Sequence, residues 1–182
     1  MIASVDVSHV RIETDRLILR SWKESDLSDF NEYARVDGVG EMAGWKHHES
    51  MDESRQILDL FIREKKTLAL VDKQSGKVIG SLGLEDLDHP GTGEKAGREI
   101  GYVLSKAYWG RGLMPEAVRA VIEYCFRELS FDWLTCGHFL WNHQSARVVQ
   151  KCGFQYVRDY IWETRRDTEE QTKIYILYNP YK

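Results

Sequence analysis

Apolar residues recur along the chain in two alternating periods, and those periods predict its elements. Leu17 and Leu19 alternate with Arg16, Ile18 and Arg20, so residues 14–22 read as a first strand. Residues 1–10 carry no such pattern and read as frayed. Leu27, Phe30 and Tyr33 then return at helical spacing behind Ser25 or Asp26 as the cap. Residues 38–48, with Gly40, Gly44, Trp45 and two adjacent histidines, read as a mobile surface loop. A second helix begins at Ser50, with Met51, Ile57, Leu58, Phe61 and Ile62 on its apolar side and Asp52 and Glu53 favouring its dipole.

Strands are expected at residues 67–72 and 77–84, joined by the turn Lys73-Gln74-Ser75-Gly76, and residues 86–97, with Pro90, Gly91 and Gly93, read as a loop. An apolar strand follows at 99–104, EIGYVL. It leads into WGRGLMPEA, residues 109–117, behind which Val118, Val121, Ile122, Cys125 and Leu129 recur at helical spacing. A strand at 131–140 and a helix at 142–152, stopped by Gly153, come next. A last hairpin pairs 154–163 with 173–178 around a polar loop at 164–172. The expected fold is α/β (α+β), one mixed sheet of about seven strands with about four helices. The unit from 99 to 140 implies one parallel pair with a right-handed crossover, and the terminal hairpins imply antiparallel partners.

Composition narrows the class. The 182 residues suffice for one sizeable core, so a single domain over 1–182 is expected, its core at about 13–178. A net charge of -4, from 25 basic and 29 acidic side chains, argues against a nucleic-acid module. Three cysteines, Cys125, Cys136 and Cys152, all in apolar segments, suit a reduced, cytoplasmic setting. No run is long and apolar enough to span a bilayer, and the N-terminus lacks a signal-peptide layout, so no membrane partner is expected.

The chemistry gathers at two places. In WGRGLMPEA, Gly110 and Gly112 let the backbone turn sharply, and Pro115 suits a first helical position. Met114 cannot cap the first-turn amides, so they are left to hold an anion. No Gly-Lys-Ser/Thr follows, which excludes a Walker loop, and the third glycine of a dinucleotide fingerprint is missing. Glu99 stands on the strand leading into that turn and shares side-chain parity with Gly101 and Val103; it reads as a general base or as a solvent-facing residue. The second place is Asn142-His143-Gln144-Ser145, where Ser145 puts a hydroxyl in the first turn of a helix. Asn142 reads as a ligand contact or as the helix N-cap. His138 reads as a second base or as a satisfied core histidine, and His47 and His48 as loop residues rather than metal ligands. No metal site is expected.

These segments resemble the GCN5-related N-acetyltransferases (GNAT). Residues 109–114 are similar to that family's Gln/Arg-x-x-Gly-x-Gly/Ala loop, with Trp109 in the Gln/Arg place and Met114 in the Gly/Ala place. The WGRGL form, the opening TDRLILR at 14–20 and the EIGY at 99–102 resemble the branch that acetylates ribosomal-protein N-termini. The resemblance runs from about Glu13 to about Tyr178. It implies a V-shaped, mostly antiparallel sheet split between the fourth and fifth strands, with acetyl-CoA as cosubstrate. Its pantetheine is expected along residues 102–106, hence at Tyr102, Val103 and Leu104. The loop residues Trp109, Gly110, Arg111, Gly112, Leu113 and Met114 are expected at the diphosphate, Glu99 as base through water, Ser145 at the leaving thiolate and Asn142 at the pantetheine amide. Where other family members carry a tyrosine acid, four residues before Gly-Phe, Val149 stands here. The function implied is N-acetylation of a primary amine, a protein N-terminus or a small amine such as a polyamine, amino acid or antibiotic. A non-catalytic coenzyme A or peptide sensor is the other class, and a monomer or a homodimer the expected state.

Overall fold

A single sheet orders the computed structural model, which describes residues 1–87 and 93–182. Its strands are β1 (Arg11–Glu13), β2 (Leu17–Ser21), β3 (Thr67–Asp72), β4 (Val78–Glu85), β5 (Gly97–Leu104), β6 (Trp133–Phe139), β7 (Gln155–Glu163) and β8 (Glu169–Tyr178). They lie in the order β1-β2-β3-β4-β5-β6-β8-β7. All neighbours are antiparallel except β5 and β6. Four α-helices flank the sheet: α1 (Leu27–Ala34), α2 (Met51–Glu64), α3 (Leu113–Arg127) and α4 (His143–Lys151). The expected positions of Pro90 and Gly91 lie outside the described residues.

Buried strands feed both faces in alternation. On β3, Leu68 and Leu70 join a core with Leu82, Leu84 and Ile100 under Val118 and Val121 of α3. Ala69 and Val71 face the other way, into a core with Trp22, Phe30, Tyr33 and Leu58 of the α1–α2 layer. The sheet is therefore the middle of three layers, and β5 follows the same rule: Ile100 belongs to the first core and Val103 to the second.

Several local expectations are corrected. The sheet has eight strands, because Arg11–Glu13, given no element above, pairs with β2 across a turn that shortens the strand expected from residue 14: the Thr14 N–H donates to the Leu17 carbonyl (2.9 Å) and the Leu17 N–H to Thr14 Oγ1 (3.0 Å). Residues 1–10 are docked rather than frayed. Ala3 N donates to Gly97 O (3.1 Å), Val7 N to Lys65 O (2.8 Å), and Val7 is 1% exposed. Asp26 does not cap α1 with its side chain; its carboxylate accepts from the Lys23 N–H (2.8 Å) and pairs with Arg20 (2.8 Å). Residues 38–48 are held in place by a 3-10 turn at Gly40–Ala43, a buried Val39 and a bond from His48 N to Ala34 O (2.8 Å).

Ser50 caps α2 as expected, accepting from Glu53 N at 3.1 Å, but Met51 and Ile62 are exposed, so the buried stripe centres on Leu58. Pro115 is the third residue of α3, after Leu113 and Met114; its missing N–H is an orphan position there too. The last hairpin turns within 164–168, where Thr164 N meets Thr168 O at 2.8 Å, and β8 starts earlier than its apolar stretch.

Val7→Ala should lower unfolding stability by about 1–2 kcal/mol, the transfer and cavity terms of two buried methyl groups. A urea midpoint unchanged from the unsubstituted chain would mean the N-terminal segment carries no load.

Candidate functional site

The β5–β6 ladder runs only from Gly97↔Trp133 to Ile100↔Cys136. Beyond it β5 continues along β4 to Leu104, and β6 along β8 to Phe139. The strands part, and the gap opens into a cavity of about 970 Å³. Bonds at the ends of β5 show which of its groups face the gap. Ser105 N reaches Ile79 O (2.7 Å), on the β4 side, while Ala96 O accepts from Asp132 N (2.8 Å), on the β6 side. Odd-numbered residues therefore turn their backbone to β4 and even-numbered ones to β6. The N–H and C=O of Tyr102 and the N–H of Leu104 point into the gap, a pairing edge for an extended ligand.

Two of the expected strand contacts change on this account. Val103 turns its backbone to β4 and buries its side chain on the α1–α2 face. The Leu104 carbonyl already accepts from Trp109 Nε1 at 2.8 Å.

The glycine turn lies at the end of the same strand. Gly110 (φ 75°) and Gly112 (φ 73°) adopt the left-handed conformation that a β-branched residue resists. Gly112 is the N-cap of α3 and offers no side chain, so the amides of Leu113 and Met114 have no capping partner. The turn is clamped from the segment just before β2. Glu116 accepts from Thr14 Oγ1 (2.7 Å), Arg16 N (3.1 Å) and Arg16 Nε (2.9 Å), and Arg16 Nη1 donates to the Arg111 carbonyl (2.7 Å). Burial would raise the Glu116 carboxyl, but these donors hold it below its ordinary value. The TDRL and WGRGLMPEA segments thus meet as two halves of one clamp, a pairing that neither shows alone.

Glu99 lies on the α1–α2 face of β5, beside Glu85, its register partner on β4. Between them and Val103, Gly83 faces Gly101, and the Glu85 side chain folds over Gly83, its Oε1 lying where a Cβ there would sit. Burial first, and the Glu85 charge second, push the Glu99 carboxyl up to about 7. Its Oε1 stands 3.3 Å from where a Cβ on Gly137 would sit, so a side chain at 137 would crowd it. Glu85 itself pairs with Lys66 at 3.0 Å. The Tyr160 phenol, near Glu99, is pushed up to about 12 by burial and then by that charge. Glu85 and Tyr160 were not singled out in sequence. Only the β4–β5 register brings Glu85 to Glu99, and β7 is distant in the chain.

Ser145 lies across the sheet, on the α3–α4 side, its hydroxyl 2.7 Å from that of Tyr102. Asn142 is occupied within the protein: its Oδ1 accepts from Ser145 N (3.1 Å) as the N-cap of α4, and its Nδ2 donates to Met42 O (3.2 Å). That geometry supports capping over a contact with pantetheine. Both nitrogens of His138 are engaged, Nδ1 with the Phe139 carbonyl (2.8 Å) and Nε2 with Tyr175 Oη (3.3 Å). The carbonyl makes Nδ1 the donor, so in the neutral ring the Nε2 lone pair is occupied by Tyr175. His138 is a satisfied core histidine. Burial pushes the thiols of Cys125, Cys136 and Cys152 up, away from the thiolate a nucleophile needs. Asp37, Glu41 and His47 bring ligand atoms within 4.8 Å of one another. The Glu41 carboxylate there already accepts from Gly38 N (2.9 Å) and from His47 N (2.9 Å), and it folds the loop.

A split sheet edged by a free pairing strand, with an uncapped glycine turn at its end, is the framework of one family. Residues 16–155 match the acetyltransferase (GNAT) domain. The chain belongs to the GNAT family. It is therefore an acyltransferase that takes its acetyl group from acetyl-CoA. The N-acetyltransferase YoaA of Bacillus subtilis, named there as uncharacterized, is 27% identical over 93% of this chain and 97% of its own. The ribosomal protein uS5-alanine N-acetyltransferase of Escherichia coli is 23% identical over 86% of this chain and 85% of its own. A crystal structure of a GNAT-family acetyltransferase from Bacillus anthracis shares the fold at a TM-score of 0.82 and 19% identity, covering 93% and 99% of the two chains. Among the described residues no helix is long and apolar enough to cross a membrane.

Followed by carbon-detected NMR, the Glu99 carboxyl should titrate near pH 7. Glu85→Gln removes a like charge beside Glu99, so the midpoint should move down. A Glu99 midpoint near 4.5 in the unsubstituted protein would contradict the desolvation argument.

Proposed function

We propose that the chain, as one domain over its whole length, transfers acetyl from acetyl-CoA to a primary amine by direct attack in a ternary complex. The carrying observation is the Glu99 carboxyl, raised to about 7 and standing beside the gap between β5 and β6. A group with that affinity for a proton can take one from an ammonium near neutral pH and release it again. In this reading the extended arm of acetyl-CoA pairs with Tyr102 and the Leu104 amide, and its diphosphate meets the amides of residues 112–114. The amine lies beside Glu99, on the α1–α2 side of the gap. Its nitrogen attacks the thioester carbon, a C–N bond forms, the C–S bond breaks, and the electron pair leaves on sulfur. Glu99 receives the amine's proton, and the Ser145 hydroxyl donates to the departing thiolate. The raised, buried thiols favour this route over an acetyl-cysteine intermediate.

For the acceptor we favour a protein N-terminal amine, the class that the uS5-alanine enzyme modifies. One observation supports a small polycationic amine instead. Glu85 and Glu99 bring two carboxylates to neighbouring places on β4 and β5 at the cavity wall, which suits a ligand with more than one positive charge. Release of free thiol from acetyl-CoA should be measured across N-terminal peptides, polyamines and amino acids. No thiol release with any amine would defeat the reading.

Two substitutions test the site. Gly112→Val should weaken acetyl-CoA binding at least tenfold by calorimetry, since it blocks the positive φ and the close approach of a diphosphate; unchanged affinity would displace the diphosphate from this turn. Glu99→Gln should lower kcat by on the order of 10²–10⁴ with KM for acetyl-CoA little altered. A rate within threefold of the unsubstituted enzyme across the pH range would remove Glu99 from the mechanism.

A further inference from the structure

Tyr102 serves the pairing edge with its backbone, but its side chain does something separate. It leaves β5 on the α3–α4 side, and its phenol ends 2.7 Å from Ser145 Oγ. The Ser145 carbonyl lies 3.5 Å from the same oxygen, at the limit of a hydrogen bond. No other side chain is bonded to Ser145 Oγ among the described residues. Both residues line the cavity.

Only one proton can lie between two hydroxyl oxygens 2.7 Å apart. If Ser145 donates, its proton is tied to Tyr102 and none remains for a ligand. If Tyr102 donates, the Ser145 oxygen accepts and its own proton is free to turn into the cavity. The relative acidity of the two hydroxyls favours the second arrangement: a phenol is the stronger donor and the poorer acceptor, and burial keeps it neutral. A buried tyrosinate would be costly, so the phenol acts as a donor and not as a proton source. The sulfur's negative charge then completes the chain: phenol to hydroxyl to thiolate, each bond polarising the next.

We propose that Tyr102 is a positioning residue for acetyl transfer, its phenol donating to Ser145 Oγ and thereby aiming the Ser145 proton at the coenzyme A sulfur. The proposal rests on the role of Ser145 given above. No proton changes owner along this chain. The C–S electron pair moves to sulfur, the two hydroxyls stabilise it by hydrogen bonding, and the thiolate takes its proton from water after release. Tyr102 also sits on the strand that pairs with the cofactor arm, so the donor and the thioester it serves are held on one rigid element.

The test is a double-mutant cycle on the full-length enzyme, with kcat, KM for acetyl-CoA and melting temperature read for each variant. Tyr102→Phe keeps the ring and removes the hydroxyl. It should lower kcat about three- to tenfold, the loss of one neutral hydrogen bond, with KM for acetyl-CoA within twofold. Ser145→Ala should lower kcat about tenfold to a hundredfold. Adding Tyr102→Phe to Ser145→Ala should change kcat by less than twofold, because the phenol then has nothing to orient.

If Ser145→Ala is impaired while Tyr102→Phe alone leaves kcat unchanged, this proposal fails and the Ser145 reading stands. A Tyr102→Phe loss that persists in full in the Ser145→Ala background would show that Tyr102 acts by another route, and overturns it too. A Tyr102→Phe enzyme altered only in KM or melting temperature would assign Tyr102 to packing. If Ser145→Ala has no effect on kcat, the Ser145 reading fails and takes the proposal with it.

Discussion

The structure depends on an interruption: β5 and β6 pair in parallel up to Ile100↔Cys136 and then stop, although both strands go on. Each strand keeps its outer neighbour, β4 on one side and β8 on the other, so the parting costs neither its place in the sheet. What it leaves is backbone polarity without a partner at the centre of a three-layer protein, where unpaired groups are expensive. The cavity keeps those groups wet or liganded. The Gly83–Gly101 pair with Glu85 folded over it, Glu99 and the Tyr102–Ser145 pair all border that one opening.

The two faces of β5 divide the labour, and the alternation of a strand does the dividing. Glu99 looks to the α1–α2 side and Tyr102 to the α3–α4 side, so the proposed proton acceptor and the proposed hydroxyl pair sit on opposite surfaces of one sheet. A ligand reaching both must pass between the strands. On the proposed mechanism this separation would keep the carboxylate away from the sulfur, where its charge would oppose the forming thiolate.

Much of this was legible in the chain because it is local. The glycine turn, the helix behind it and the parity of Glu99 with Gly101 and Val103 follow from neighbours a few residues apart. The N-cap of Ser50 is of the same kind. What was not legible depends on residues far apart in the chain. Glu85 meets Glu99 only through the β4–β5 register, and Arg16 meets Glu116 across 100 residues. Tyr102 was expected at the cofactor through its backbone, and strand parity alone does not say that its side chain finds Ser145 on another element. Docking of the N-terminal residues was missed for a related reason, since Val7 finds its burial against elements that the sequence does not place beside it. Asn142 illustrates the remaining ambiguity: the same residue fits a cap and a ligand contact, and only its two bonded partners decide.

The bond from the Trp109 indole to the Leu104 carbonyl has a geometric consequence. An extended chain lying along a strand can slip only in steps of two residues, about 6.8 Å. Past Tyr102 the next acceptor is occupied by an indole, so a slipped ligand would lose a bond that the correct alignment keeps. With the cofactor arm paired to β5 as proposed, Trp109 would be an end-stop. It turns a repetitive edge, on which every second residue looks alike, into a scale with one zero. A ligand anchored at the glycine turn would then present its far end at a single distance along β5, its length measured by a side chain that need not touch the reacting atoms at all.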